Sequence, residues 1–179
     1  MGTITWIRAD GHQQAQEADA GPALGAIRDF VGGLPEHVTV LHDGRRASLY
    51  VHGMGAMLDL PINATASDIY RAAARARGAD HALCIYGNAV LVEGLELIDH
   101  IRLGEVSATI WQQDTGAYST TVQRKPQGKD GSWHSVNAYS DEELRTLATV
   151  ADMAVERIEE LRIEQHQEQE EEHEHGLGQ

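Results

Sequence analysis

Short apolar segments and short amphipathic segments alternate along the first hundred residues. Runs of β-formers bounded by Gly, Asp or Asn predict strands over 3–9, 37–42, 47–52, 82–86 and 89–94. Helical spacing predicts one helix over 22–31 and another that begins near Thr65 and ends before Gly78. This order of elements predicts an α+β fold in which two helices pack on a mostly antiparallel sheet.

A second pattern begins near Glu105 and ends in a long helix. Three predicted strands are separated by polar turns and cover residues 106–111, 118–124 and 132–139. Ser140 and Glu143 then form a Ser-x-x-Glu capping box, which is typical of a helix start. We therefore expect a three-stranded meander packed on a long C-terminal helix.

These patterns divide the chain into three expected units. The first is an α+β domain over 1–103, and the second is a meander with its helix over 104–163. The third is an acidic, histidine-containing tail over 164–179. Residues 140–179 hold 13 acidic and 3 basic residues, which accounts for −10 of the net charge of −14. Such a segment favours a basic partner and repels nucleic-acid phosphates.

The C-terminal helix carries an apolar seam at spacings of three and four residues. Its members are Leu144, Leu147, Ala151, Ala154, Ile158 and Leu161. One interpretation is that the seam packs on the meander of its own chain. The other is a dimer seam between two copies, since a module of about 60 residues is marginal alone. We expect a homodimer on this second ground.

The tail contains three residues at metal-ligand spacing, although this spacing is a weak signal of a metal site. His166, Glu170 and His173 lie at i, i+4 and i+7 on one helical face, and imidazole with carboxylate suits zinc or nickel. This segment is so polar that it offers no packed neighbouring groups to hydrogen-bond to these ligands and orient them. We therefore expect a solvated tail, no physiological metal and no cofactor.

The stretch 106–136 supports two different interpretations. Strand alternation places Val106, Ala108 and Ile110 on one face and Trp111 on the other. If the second face is open, it offers stacking and cationic side chains for single-stranded nucleic acid, namely Trp111, Tyr118, Arg124, Lys125 and Trp133. The other interpretation is that the tryptophans close a core. A local net charge of zero beside the acidic helix disfavours nucleic acid.

The glycine-rich connection in the first domain is a candidate contact site for a ligand or a partner. Glycine lets a backbone approach a partner closely, and asparagine supplies paired amide groups; the candidates are His52, Gly53, Met54, Gly55, Asn63 and Asn88. Turn chemistry explains the same residues, with Asn63 as a helix cap.

The known catalytic signatures are missing from the chain. The segment His52–Met57 has two glycines of a dinucleotide fingerprint but lacks the third, and no Walker loop or nucleophile elbow occurs. We expect no enzyme and name no catalytic residue. The single Cys84 excludes an internal disulfide and favours a reducing cytoplasm, and no apolar run is long enough to span a membrane.

Two stretches resemble uncharacterised families. The segments WIRADG, FVGGLPEHV, DGRR, LPINATASDIY and IYGNAVLV, between Ile4 and Asp99, resemble domain of unknown function 3846, which is typical of phages, plasmids and their hosts. The segments GEVSATIW, TTVQR, DGSWHSV, YSDEEL and LATVADMAVERI are similar to a small meander-plus-helix module of phage and bacterial proteins. At fold level alone, its order of elements is also similar to a single-stranded-DNA-binding coactivator.

These resemblances imply a mobile-element setting and a non-catalytic role. The expected function is a non-enzymatic accessory protein of a phage or mobile element, which acts through protein contacts in host takeover or anti-defence. Two alternatives stay open, namely a single-stranded nucleic-acid-binding module that uses the 106–136 sheet and a small-ligand-binding protein.

Overall fold

A computed structural model describes residues 1–79, 83–124 and 139–176, without the side chains of 168 and 171–176. The strands of the first part are β1 (Gly2–Ile7), β2 (Gln13–Ala18), β3 (Pro35–His42), β4 (Arg45–His52), β5 (Ile62–Asn63), β6 (Ile85–Tyr86) and β7 (Ala89–Glu93). The strands of the second part are β8 (Leu95–Leu103), β9 (Val106–Gln113) and β10 (Tyr118–Arg124). The helices are α1 (Leu24–Val31), α2 (Ala64–Ala76) and α3 (Asp141–Gly176).

The larger sheet is antiparallel, with strand order β2-β1-β7-β4-β3. Its central strand, β7, carries apolar residues on both faces, and each face is covered by a helix. Ala89 and Leu91 face the cluster under α2, whereas Val90 and Val92 face the cluster under α1. The predicted α+β class is confirmed, and so are the two helices of this part.

The start of α2 agrees with the interpretation of Asn63 as a helix cap and not with a start at Thr65. Asn63, rather than Thr65, is the N-cap, and its Oδ1 accepts from the backbone N–H of Ala66 at 3.0 Å. The Nδ2 of the fully buried Asn63 donates to the carbonyl oxygens of Ile7 (3.2 Å) and Gly87 (3.0 Å). This amide therefore ties α2 to β1 and to the turn before β7.

The smaller sheet has strand order β10-β9-β8. Its first strand, β8, comes from residues that the sequence division assigned to the first domain, because the 103–104 boundary falls in the turn between β8 and β9. The expected strand over 132–139 lies outside the described residues, except for Tyr139.

Helix α3 begins at the expected capping box and covers one face of this sheet. The backbone N–H of Ser140 donates to Glu143 Oε2 at 2.6 Å, and Glu143 N–H donates to Ser140 Oγ at 3.4 Å. The apolar face formed by Val106, Ala108 and Ile110 packs on α3, as the meander-plus-helix prediction requires.

The packing face of α3 coincides with part of the predicted seam and differs from it at three positions. Val150 is fully buried, although the seam omitted it, whereas Leu144 is 50% exposed and Ala151 is exposed. Leu147, Ala154 and Ile158 pack on the sheet of their own chain, and Leu161 is also buried. The structure therefore has the first of the two arrangements considered, in which most of the seam packs on the meander of its own chain.

Beyond the sheet, α3 continues to Gly176, for 36 residues in all. Arg157 fixes it at the sheet margin, where the guanidinium pairs with Asp99 (3.0 Å), Glu160 (3.1 Å) and Glu164 (3.3 Å). From Arg162 to Glu170 the described side chains are exposed or half-exposed. In the described ranges, no helix has the length and apolarity that a bilayer crossing requires.

Candidate functional site

A cleft of about 370 Å³ lies between α1 and the smaller sheet. We call this cavity the interlayer cleft. Side chains from α1, β8, β9 and β10 meet there, and its polar lining includes Arg28, His100, Arg102, Glu105, Ser107 and Gln123. No single sequence motif contains these residues, because four separate elements supply them.

The segment before α1 is held against the smaller sheet by close packing. Gly21 lies on the ring of Trp111, so that a Cβ at this position would overlap the indole. The hydroxyl of Thr121 donates to the carbonyl oxygen of Gly21 at 2.5 Å. Trp111 in turn contacts Tyr50 of the larger sheet edge-to-face, with ring centroids 6.4 Å apart. These contacts bring the N-terminus of α1 to the cleft.

A buried hydroxyl connects α1 to the histidine of the cleft. The Oγ1 of Thr109 accepts from the backbone N–H of Leu24 at 3.2 Å and lies 3.1 Å from the Nδ1 of His100. Thr109 is fully buried, so its one hydroxyl proton needs an acceptor, and Nδ1 is the one in reach. We therefore assign to neutral His100 the tautomer with its proton on Nε2.

The electrostatics of the cleft keep His100 neutral. Burial of the ring lowers its pKa below the ordinary value of 6.5, the charge of Arg102 lowers it further, and Asp99 opposes both. Arg28 adds a second guanidinium to the lining, whereas Glu105 lies 3.7 Å from Arg124. Two guanidinium groups and an imidazole N–H suit an anionic ligand.

A smaller cavity of about 200 Å³ shares Leu24 and Pro35 with the cleft. In its wall the Nε2 of His37 lies 3.0 Å from the Oγ of Ser48, at hydrogen-bond distance. Burial raises the pKa of Tyr50 to about 12; the Ser48 hydrogen bond opposes this, and Glu96 adds to it. The Tyr50 phenol is therefore a hydrogen-bond donor at neutral pH.

The residues considered for nucleic-acid binding do not form one surface. Trp111 is fully buried, since the face opposite α3 is not open but packs on Gly21 and Tyr50. The register places Ser119 opposite Trp111, which puts Tyr118 and Arg124 on the α3 face instead. Arg124 also pairs with Glu143. Lys125 and Trp133 lie outside the described residues.

The candidates in the glycine-rich connection serve local structure. The Nδ1 of His52 accepts from the Met54 N–H at 3.1 Å, and the ring lies against Gly33. Gly55 packs against Tyr86, and Gly53 makes ordinary contact with Leu34. Met54 is 52% exposed.

The two amides of that set are both engaged. Asn63 caps α2, as described above. Asn88 accepts from the Ala9 N–H at 3.1 Å and donates to the Phe30 carbonyl at 3.0 Å. These bonds match the turn and cap interpretation.

The possible metal ligands lie in the distal part of α3. His166 and Glu170 are exposed, and the side chain of His173 lies outside the described set. Across the described residues, no group of three His, Cys, Asp or Glu side chains is arranged to hold a metal ion.

No family model, no curated protein and no solved structure matches this chain. The two family resemblances therefore stay predictions.

Proposed function

We propose that this chain is a non-enzymatic accessory protein whose distal α3 segment, residues 162–176, binds a basic protein partner. One observation carries the proposal: α3 leaves the body after Leu161 and continues as a helix whose described side chains are not covered. A role for a phage or mobile element, in host takeover or anti-defence, rests on the sequence resemblance. The non-catalytic role rests on the missing signatures, and a cytoplasmic location on the lone cysteine.

The chemistry of the distal segment supports a cationic partner. Residues 164–179 contain six acidic and no basic residues. Glu164, Glu168 and Glu172 follow one another at i+4, as do Glu170 and Glu174, and like charges at this spacing destabilise a helix. A polar helix without tertiary contacts is marginal in water. A basic surface removes the repulsion and stabilises the helix at once.

Affinity capture from a bacterial lysate at low salt tests the proposal with charge variants of the full chain. The test variant replaces four distal glutamates by glutamine: Glu170, Glu171, Glu172 and Glu174. The control makes the same number of replacements at exposed sites on the body: Glu36, Glu142, Glu156 and Glu159. We expect the wild type and the control to retain a protein partner that the test variant loses. Equal capture by all three proteins, or no capture at low salt, contradicts the proposal.

A second candidate function is the binding of a small anionic ligand in the interlayer cleft. The observation that favours it is that His100, whose pKa is lowered, lines the same cavity as the guanidinium groups of Arg28 and Arg102. Thermal-shift titration with inorganic phosphate and with acetate tests it. Arg28→Gln is expected to abolish the stabilisation, and Arg45→Gln, at an exposed site on β4, to preserve it. Stabilisation that is equal in both variants excludes the cleft.

A further inference from the structure

The two edges of the larger sheet differ in how they are covered. The β3 edge starts with Pro35, and the guanidinium of Arg77, just past α2, donates to the carbonyl oxygen of Thr39 at 2.8 Å. Among the described strands, none pairs with the outer side of β2, and its side chains are exposed from Gln13 to Glu17.

The direction of the free backbone groups follows from one hydrogen bond. The N–H of Arg8 donates to the carbonyl of His12 at 2.9 Å, which makes 8 and 12 a hydrogen-bonded pair. In an antiparallel ladder such pairs alternate with non-bonded ones. Since Trp6 pairs with Gln14 and Ile4 with Gln16, the N–H and C=O groups of Gln13, Ala15 and Glu17 point away from β1.

The sequence of β2 gives little protection against pairing of its exposed edge, since Glu17 is its one charged residue. The strand QQAQEA contains no lysine, no arginine and no proline. Its pairing with β1 runs unbroken from Gly2–Ala18 to Ile7–Gln13, so no bulge twists the edge away. A regular edge without a bulge and with one charge is a template for another strand.

We propose that a second copy of this chain pairs with β2 in antiparallel fashion, about a two-fold axis at Ala15. Under this symmetry Ala15 faces Ala15 of the second copy, and Gln13 faces Glu17. The outward N–H and C=O groups of all three residues then bond across the axis, and the two sheets become one continuous sheet.

Self-complementarity selects a second copy as the occupant. The one charge of the strand, Glu17, falls opposite the neutral amide of Gln13, so no like charges meet. On the axis itself Ala15 meets only the methyl group of Ala15 of the second copy, so this register places no bulky or charged pair there. A two-fold axis at Glu17 instead places two carboxylates face to face, which is unfavourable. The proposal replaces the α3 seam as the dimer contact, because most of that seam packs inside its own chain.

Sedimentation velocity of the full chain at physiological ionic strength and at high salt tests the interface. Gln13→Glu puts two pairs of like charges across the axis, so we expect a dimer dissociation constant about tenfold higher. Gln13→Lys pairs with Glu17 and lowers it by about tenfold. Gln14→Glu is the matched control: it adds the same charge one residue away, opposite Gln16, and changes the constant by less than about twofold.

Ala15→Pro provides the decisive variant. It removes the N–H on the axis, which makes no bond within the chain, and proline is tolerated at such an edge position. We expect a folded monomer by circular dichroism and sedimentation. A wild type that is monomeric even at high salt overturns the proposal. So does a dimer that Gln13→Glu and Gln13→Lys shift equally or leave unchanged, which keeps the test informative if Ala15→Pro fails to fold.

Discussion

The central strands of the two sheets, β7 and β9, are both buried on both faces, yet they are buried in different ways. In β7 the two faces are aliphatic, with Val90 and Val92 under α1 and Leu91 under α2. In β9 the face under α3 is aliphatic, whereas on the opposite face Trp111 packs against the larger sheet and the Thr109 hydroxyl accepts from the N-terminus of α1. A helix covers a sheet through non-directional apolar contact. The smaller sheet, by contrast, is joined to the larger sheet by the indole of Trp111 and to α1 by the buried hydroxyl of Thr109. The second kind of contact depends on individual atoms, so single substitutions should affect it most.

The largest effect is expected from Trp111→Ala. This change removes the side chain that joins the layers and leaves a cavity, at a cost of about 3–5 kcal/mol in the free energy of unfolding. Trp111→Phe is the matched control, because the indole nitrogen has no hydrogen-bond partner among the described residues and its loss leaves no group unpaired. Urea denaturation measures both. A loss below about 1 kcal/mol in Trp111→Ala contradicts the layer contact.

Gly21→Ala tests the same contact from the other side. Its methyl group overlaps the Trp111 ring, and overpacking of this kind costs about 1–3 kcal/mol. Gly53→Ala is the control, since a Cβ there meets Leu34 O at an ordinary 3.5 Å. Thermal unfolding should separate the two variants clearly, and an equal shift in melting temperature is the contrary outcome.

Thr109→Val tests the directional part of the contact. The substitution keeps the shape but leaves the Leu24 N–H without its acceptor, at a cost of about 1–2 kcal/mol. It also removes the donor to Nδ1 of His100, which favours the neutral ring. The pKa of His100 should therefore rise in this variant, while burial and the charge of Arg102 still hold it below 6.5, as measured by NMR titration. An unchanged pKa shows that the threonine proton points elsewhere.

The smallest effect is a pH dependence of stability. Because the pKa of His100 is lower in the folded chain than in the unfolded one, the folded state binds fewer protons. Stability from this source is complete above pH 6.5 and is lost as the pH falls toward the folded pKa. Urea midpoints between neutral and mildly acidic pH should show this decline, and it should be smaller in His100→Gln. A decline of equal size in both proteins assigns it to other groups.

Hydrophobic patterning predicted the elements that bury a regular stripe. Val106, Ala108 and Ile110 lie under α3 as expected from alternation alone, and the Ser140 box starts that helix. The strand β2 was missed because QQAQEA has no apolar alternation; its pairing comes from the hairpin with β1. Val150 was missed because the seam was continued through Ala151 instead, although Leu147, Ala154 and Ile158 of the same seam do pack on the sheet.

The interlayer cleft lay beyond the reach of sequence reasoning for a different reason. His100 belongs to no motif that the sequence shows, and the partner of its imidazole is Thr109, on the next strand. The position of Trp111 also depends on a layer that only the tertiary fold brings near. A periodicity defines which face of a strand a residue occupies, and it does not define what covers that face.

The length of α3 has an electrostatic consequence for any partner. At about 1.5 Å per residue, the segment from Arg162 to Gly176 reaches roughly 20 Å beyond the body. The Debye length is about 8 Å in physiological salt. A ligand at the helix end therefore experiences the local glutamates and almost none of the charge on the sheets. The electrostatic part of the affinity of this segment for a partner is therefore set by its own residues and depends little on the charges of the two sheets.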